Sequence, residues 1–196
     1  MKDVAAAVAI VLVFINYIPY VRNIIRGKTH PHIYSWFLWT LITLIVFALQ
    51  VSDHAGPGAF VTLAAGMFSL TVLILGFRLG KKNITRSDTA ILIITFIAIG
   101  LWIFAKQPAL SAILVTFADL LAFIPTIRKS WHQPNTETLF LYAMNTLRFV
   151  LVLYALQNYT IPTALNPASW LVANSLFSLM LIIRRRTLAE HVPTRV

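Results

Sequence analysis

The chain contains no cysteine, which excludes disulfide bonds, thiolate nucleophiles and thiolate-bound metals. Charged residues are also scarce: they make up 11% of the 196 residues, whereas a soluble domain carries roughly 25%. Hydrophobic residues reach 59% and the mean hydropathy is +0.80. These values exclude a water-soluble domain, and we therefore expect an integral membrane protein.

Seven apolar runs of about 18 to 20 residues account for most of the sequence. Only helices and closed barrels satisfy their backbone hydrogen bonds in the hydrocarbon core, and these runs are too long and too continuously apolar for barrel strands. We predict an all-α membrane protein with seven transmembrane helices, at residues 4–21, 33–50, 58–77, 88–105, 109–127, 138–156 and 166–183. A signal peptide is the alternative for the first run, but its small residues precede the apolar stretch instead of following it.

Lysine and arginine alternate between the predicted loops. Thirteen of the sixteen follow the first, third and fifth predicted helices or lie in the C-terminal tail, and only Lys2 and Lys106 lie on the other side. Because cytoplasmic loops carry the excess of positive charge, we predict an external N-terminus and a cytoplasmic C-terminus in a plasma or inner cell membrane. Topology therefore accounts for the net charge of +10, and we expect no nucleic-acid partner.

An offset of 106 positions aligns two segments of the chain without a gap, and it pairs Pro19 with Pro125 and Arg22 with Arg128. The other matching polar or basic pairs are Thr40 with Thr146, Ser69 with Ser175, and Arg78 with Arg184. Two parallel repeats of three helices need one helix between them to share an orientation. We predict repeats at 1–80 and 108–186, a linker helix within 81–107 and a cytoplasmic tail at 187–196.

The segments around the two prolines resemble the PQ-loop repeat, at residues 17–29 and 35–36 in one unit and 123–131 in the other. The layout of three, one and three helices resembles the SWEET sugar transporters and their PQ-loop relatives, which include lysosomal amino acid exporters and the KDEL receptor. The glutamine that follows the family proline is replaced here by Tyr20 and Thr126. The resemblance therefore implies a fold and paired proline hinges, but it does not transfer a substrate.

Ionisable residues inside a membrane span mark function by default. Asp119 and Arg148, in the fifth and sixth predicted helices, lie about 13 and 15 Å from the loop that joins these helices, at 1.5 Å per residue. Asn174 of the seventh predicted helix has the same depth, and Asn145 lies one turn from Arg148 on the same face. Other candidates for lining this layer are Trp39, Asn16, Thr40 and Ser178. We predict a substrate site here, between the two repeats near the midplane.

In this site we expect Arg148 to bind a carboxylate or hydroxyl groups, and Asn145 and Asn174 to orient the solute. Trp39 would stack on the solute and Asp119 would exchange a proton. The alternative is structural: Asp119 and Arg148 form a buried ion pair, and the asparagines provide hydrogen bonds between helices. Desolvation offsets much of the energy of a buried ion pair, which favours the functional interpretation.

Pro19 and Pro125 lie one turn inside the cytoplasmic ends of corresponding helices. Each proline frees a carbonyl four residues earlier and permits a bend, so we predict a pair of hinges, with static kinks as the alternative. The leading hypothesis is an alternating-access carrier, a uniporter or proton-coupled, for a small polar solute such as a sugar, amino acid or carboxylate. A ligand-binding receptor without transport, as in the KDEL receptor relatives, is the alternative.

No acid, base and nucleophile cluster within the apolar layer, so we do not expect an enzyme. His30 and His32 do not share a helix face at a spacing of two, which disfavours a metal site. The seventh predicted helix contains no lysine for a retinal Schiff base. We therefore expect no cofactor. The expected partners are the lipid bilayer and the solute, and a homo-oligomer is left open because one chain already holds both repeats.

Overall fold

In the computed structural model of the chain, the described residues are 2–52, 58–79, 84–104, 107–156 and 158–190. Over these ranges the protein is all-α, without a strand. Its helices are α1 (Lys2–Ile25), α2 (Ile33–Ser52), α3 (Gly58–Leu79), α4 (Arg86–Phe104), α5 (Pro108–Leu121), α6 (Ile124–His132), α7 (Leu139–Ala155) and α8 (Ile161–Glu190). A single 3-10 turn, Pro134–Thr136, lies between α6 and α7.

Four helical stretches are long and apolar enough to cross a membrane: Lys2–Ile25, Phe60–Leu79, Ala109–His132 and Ile161–Leu188. Two shorter apolar helices cover Ile33–Ala48 and Leu139–Ala155. Large apolar side chains, among them Phe77, Ile103 and Leu176, point outward from the helices. An apolar exterior of this extent suits lipid and not water. The prediction of an all-α membrane protein is confirmed at this level.

The fifth predicted span differs from the other six because it is divided. Helix α5 ends at Leu121 and α6 begins at Ile124, two residues later. Pro125 has no N–H group to donate to the Leu121 carbonyl, and the N–H of Phe123 instead donates to the Leu120 carbonyl at 3.0 Å. Beyond this break the helical stretch continues to His132, farther than the predicted end at residue 127.

Helix α1 contains the other aligned proline, Pro19, yet it continues without a break to Ile25. Its C-terminus is closed by Gly27, which has a φ of 68° and donates its N–H to the Ile24 carbonyl at 2.9 Å. Glycine adopts this left-handed conformation without the steric cost that a Cβ would bring. The two aligned prolines thus lie in different local structures, one inside a helix and one just after a break.

For description, α1 to α3 are called the first group of helices and α5 to α8 the second, although α1 packs more extensively on α7 than on α3. Helix α3 packs against both α1 and α2, and α8 packs against α5, α6 and α7. Between the groups, α1 packs closely along α7, whereas α2 meets α5 and α6 over a smaller area. Helix α4 packs mainly against α5, with additional contacts to α6 and α2. The tight contact between α1 and α7 positions the polar residues described below.

Basic residues gather at one end of the bundle, which we call the basic end. It comprises residues 26–32, residues 133–138, the start of α4 and the C-terminal part of α8. The His30 N–H donates to the Thr136 carbonyl at 3.0 Å, and the Arg185 guanidinium donates to the Pro134 carbonyl at 3.0 Å. The predicted loop residues Lys81, Lys82, Lys106 and Arg195 lie outside the described residues.

Candidate functional site

Asn16 of α1 and Asn145 of α7 meet in the interior of the bundle. The Asn16 Nδ2 donates a hydrogen bond to the Asn145 Oδ1 at 3.1 Å, and both side chains are buried. The structure therefore brings together two of the residues that the sequence assigns to one polar layer. The Asn16 Oδ1 is itself buried and has no hydrogen-bond partner within the described residues.

Arg148 lies one turn from Asn145 on the same face of α7. Its side chain is 7% exposed, its guanidinium carbon lies 4.4 Å from the centre of the Phe149 ring, and its Nε is buried without a hydrogen-bond partner in the described part of the chain. The ion pairs formed by described residues do not include Arg148. Arg148 is therefore a buried cation that no carboxylate in the described ranges neutralises.

Asp119 of α5 faces α8 and does not form an ion pair with Arg148, contrary to the structural alternative. Its Oδ2 accepts a hydrogen bond from Asn166 Nδ2 at 3.0 Å and another from Trp170 Nε1. Its backbone carbonyl accepts a hydrogen bond from Trp39 Nε1 at 3.4 Å. Equal depth on two helices does not specify which way each helix is rotated, and here rotation directs Asp119 toward α8.

An aromatic cluster joins the two helix groups beside Asp119. The rings of Trp39 and Trp170 lie 5.7 Å apart, and Phe123 lies 5.4 Å from Trp39 and 5.3 Å from Trp170. Phe149, which carries the Arg148 guanidinium on its face, stacks on Trp170 at 6.5 Å. Trp39, predicted to stack on a solute, packs in this conformation against other aromatic rings.

The remaining predicted residues are buried but mostly bond within their own helices. Thr40 Oγ1 donates to the Trp36 carbonyl at 2.7 Å, and Asn174 Nδ2 donates to the Trp170 carbonyl at 2.7 Å. Ser178 Oγ is buried and has no hydrogen-bond partner in the described ranges. The Thr40 hydroxyl and the Asn174 amide nitrogen thus bond within their own helices, whereas the Ser178 hydroxyl can still bond to another group.

The basic end contains a buried charge cluster that the sequence did not predict. Glu137, 2% exposed, accepts hydrogen bonds from Tyr20 Oη at 3.1 Å and Tyr142 Oη at 3.3 Å, and it pairs with the Lys129 ammonium group. Arg185 donates to the Glu137 backbone carbonyl at 2.5 Å. We call Glu137, Lys129, Tyr20 and Tyr142 the Glu137 cluster. The chain has only six acidic residues. An acidic residue in a basic loop has many potential cationic partners, and this was the sequence signal that could have indicated the cluster.

A second charged group lies beside the Glu137 cluster, where α4 begins. Asp88 receives two hydrogen bonds from Arg128, at 3.0 and 2.7 Å, and one from the Thr85 N–H at 2.8 Å. His32 Nε2 lies 3.4 Å from Asp88 Oδ2, and the His32 side chain is buried. Burial lowers the pKa of His32, and the nearby cations Lys129 and Arg128 lower it further against the opposing effect of Asp88. His32 therefore favours the neutral form.

A surface pocket of about 330 Å³ opens at the basic end, and its polar lining includes Asn23, Lys28 and Arg185. Within its lining, the Thr138 and Thr29 hydroxyls share a hydrogen bond at 2.6 Å, and Asn23 Nδ2 donates to Thr138 Oγ1 at 3.2 Å. Neither Asp119 nor Arg148 lines this pocket.

Among the described residues, no group of three or more histidine, aspartate or glutamate side chains is placed to hold a metal ion. The polar interior instead offers hydrogen-bond donors and acceptors, namely the guanidinium of Arg148, the amides of Asn16 and Asn145, and the hydroxyl of Ser178. Comparisons with family models, with curated proteins and with solved structures find no match for the chain.

Proposed function

We propose that the chain is an alternating-access membrane carrier for a small polar solute, with a PQ-loop or SWEET-like arrangement. Helices α1 to α3 form one unit, α5 to α8 form the other with α5 and α6 as one interrupted span, and α4 joins them. The N-terminus is external and the basic end faces the cytoplasm. The observation that carries this proposal is Arg148, a buried cation beside two asparagines that bond across the units.

Matching contacts in the two groups of helices support the repeat. Thr40 bonds to the carbonyl of Trp36, and Thr146, its counterpart at the offset of 106, bonds at 3.1 Å to the carbonyl of Tyr142, the counterpart of Trp36. Helix α3 packs on its two preceding helices, as α8 packs on α5, α6 and α7. Equivalent residues that make equivalent contacts are what a duplicated three-helix unit predicts.

Arg148 supports a solute-binding role because an isolated charge in a membrane interior is costly. If Arg148 served only for packing, an apolar side chain of similar size could take its place without loss of stability. Arg148 Nε and Asn16 Oδ1 are buried donor and acceptor atoms without partners in the described ranges, on helices that bond to each other. A solute with a carboxylate and a second polar group would satisfy both atoms, which favours amino acids and hydroxy acids over neutral sugars.

The loop contacts of the basic end support alternating access. The Glu137 cluster and the hydroxyl pair Thr29–Thr138 hold residues from both units together at one end of the bundle. Transport in this scheme requires these contacts to break while the units move apart at the basic end. The break before Pro125 provides a flexible point in α5 and α6 where this motion can begin.

The test is uptake of radiolabelled amino acids, hydroxy acids and sugars by proteoliposomes containing the purified protein. We expect uptake of a carboxylate-bearing solute, and Arg148→Met should abolish it while the variant stays folded. The matched control is Arg186→Met, which removes an exposed arginine from the end of α8 and should transport normally. Uptake by Arg148→Met at the wild-type rate would exclude this site.

Thermal stability separates a binding role from a structural role for Arg148. Arg148→Met removes an unneutralised buried charge, so the apparent melting temperature should stay unchanged or rise. Addition of the solute should no longer raise the melting temperature of this variant. A large loss of stability without loss of binding would instead favour the structural role. Saturable solute binding without uptake would favour the receptor alternative.

A further inference from the structure

A groove of about 320 Å³ lies on the outer surface between α1 and α3, near the basic end. Its apolar walls are formed by Ile18, Val21 and Ile25 from α1 and by Phe68 from α3. Thr71 also lines the groove, but its hydroxyl donates to the Met67 carbonyl at 3.0 Å and is satisfied. The part of the groove between these side chains is therefore apolar.

Two arginines form the end of this groove. Arg22 and Arg26 are both exposed and are separated by four residues, which places them on one face at the end of α1. Within the described residues, the acids of the basic end, Asp88 and Glu137, are buried and pair with Arg128 and Lys129 instead. The groove thus combines an apolar trough with a cationic end at the depth where the basic loops emerge.

In the second unit the apolar counterparts of the groove residues, Ile124, Ile127 and Trp131, are also exposed, but the counterpart arginine is bound by protein. This comparison rests on the two-unit arrangement proposed above, in which Arg22 corresponds to Arg128 at the offset of 106. Arg128 donates two hydrogen bonds to the carboxylate of Asp88, and the helix that begins there, α4, packs its apolar side chains on α5 and α6. Helix α4 occurs once, so the face of α1 next to Arg22 has no equivalent helix. An occupant of that face would need an anionic group for the arginines and an apolar body for the trough.

We propose that this groove binds an anionic phospholipid. The phosphate group accepts hydrogen bonds from Arg22 and Arg26, because guanidinium groups bind phosphate in a bidentate manner. One acyl chain follows the trough formed by Ile18, Val21, Ile25 and Phe68. The lipid phosphate thus supplies to Arg22 the kind of contact that the Asp88 carboxylate supplies to Arg128.

The test is native mass spectrometry of the delipidated full-length protein titrated with phosphatidylglycerol or with phosphatidylcholine of the same chain length. We expect a first bound phosphatidylglycerol with an affinity about tenfold higher than that of phosphatidylcholine. The double variant Arg22→Gln with Arg26→Gln should lose this preference. The control, Arg86→Gln with Arg186→Gln, removes two exposed arginines outside the groove and should retain it, although its net charge falls equally.

A third variant, Thr71→Trp, fills the trough without changing charge and should also weaken the first binding event about tenfold. Equal losses in the double variant and its control would overturn the proposal, because general charge attraction would then explain the preference. Competition by inorganic phosphate at the same concentration as the lipid would also overturn the proposal. So would a wild-type dimer that dissociates when Arg22 and Arg26 are substituted, because the groove would then bind a second copy of the chain. The lipid titration does not depend on uptake, so its failure is distinct from failure of the carrier proposal.

Discussion

The amide of Asn16 donates to the amide oxygen of Asn145 at 3.1 Å, although 129 residues separate them in the chain. This bond connects α1 to α7, and thereby the first group of helices to the second, one turn from the buried Arg148. On the other side, the contact between α2 and α5 is less extensive: Trp39 donates to the Asp119 carbonyl at 3.4 Å, and its ring lies 5.4 Å from that of Phe123. The two groups of helices are therefore held together unequally, by a polar contact along α1 and α7 and an aromatic one beside Asp119.

The bond between Asn16 and Asn145 should contribute a measurable coupling energy. Replacement of each residue by alanine, alone and together, forms a double-mutant cycle for the unfolding free energy in detergent. We expect a coupling of about 0.6 kcal/mol, the average for hydrogen bonds within membrane proteins. A control cycle between Thr40 and Ser178 should give no coupling, because the Thr40 hydroxyl bonds to the Trp36 carbonyl and Ser178 Oγ has no hydrogen-bond partner among the described residues. Independent effects of the two asparagines would contradict the contact.

Glu137 should be essential for stability because it neutralises the buried Lys129. Glu137→Gln keeps the shape of the side chain but leaves an unpaired ammonium group, and we expect a loss of about 3 to 5 kcal/mol. Adding Lys129→Met to this variant should recover much of the loss, because the unpaired charge is then absent. Reversible unfolding in mixed detergent micelles measures the three free energies, and an equal loss in the single and double variants would be inconsistent with charge pairing.

The same substitution should expose the basic end if that end opens during transport. The natural chain has no cysteine, so a single introduced thiol reports on one site alone. Thr126→Cys replaces a fully buried side chain in α6, and a membrane-impermeant maleimide should label it faster when Glu137→Gln is also present. Lys28→Cys, at an exposed loop position, should label equally fast in both backgrounds. Unchanged labelling of position 126 would argue against a gate at the Glu137 cluster.

His32 should make the protein less stable in acid. Its pKa is lowered by burial in the folded state, so the unfolded chain binds more protons as the pH falls through the ordinary histidine value of about 6.5. Stability from this residue is complete above that pH, falls as the pH decreases toward the folded pKa, and is constant below it. The difference in melting temperature between wild type and His32→Gln should therefore be constant at alkaline pH and change as the pH falls below about 6.5. His132→Gln, which alters an exposed histidine, should show no such change, and a flat difference for His32→Gln would rule out the effect.

The two aligned prolines should not be equivalent as hinges. Pro125→Ala supplies an N–H that can bond to the Leu121 carbonyl, and we expect it to join α5 to α6 and to slow hydrogen exchange over residues 118–128. Pro19→Ala should have a smaller effect, because α1 is already continuous through that position. Uptake in proteoliposomes should decline more for Pro125→Ala than for Pro19→Ala. Equal exchange and equal uptake in the two variants would indicate that the break has no role in motion.

Local patterns allowed the helices to be predicted from the sequence, because each apolar run satisfies its own backbone and needs no partner to be recognised. The missing N–H of Pro125 did not by itself specify the break in the fifth span, because Pro19 lacks the same group and α1 is continuous through it. Asn16, Asn145 and Arg148 were selected for their polarity inside apolar runs. The Glu137 cluster was not predicted, because Lys129 and Glu137 lie in a segment whose charges looked solvated.

The sequence by itself determined that the chain is helical, apolar on its outside and asymmetric in its basic residues, because these properties depend on composition and on spacing within single segments. Only the tertiary structure decided which buried polar groups meet. Asp119 bonds to Trp170 and Asn166 and not to Arg148, and Lys129 is buried against Glu137. Those pairings depend on the rotation and packing of whole helices, and the depth of a residue along one helix contains no information about either.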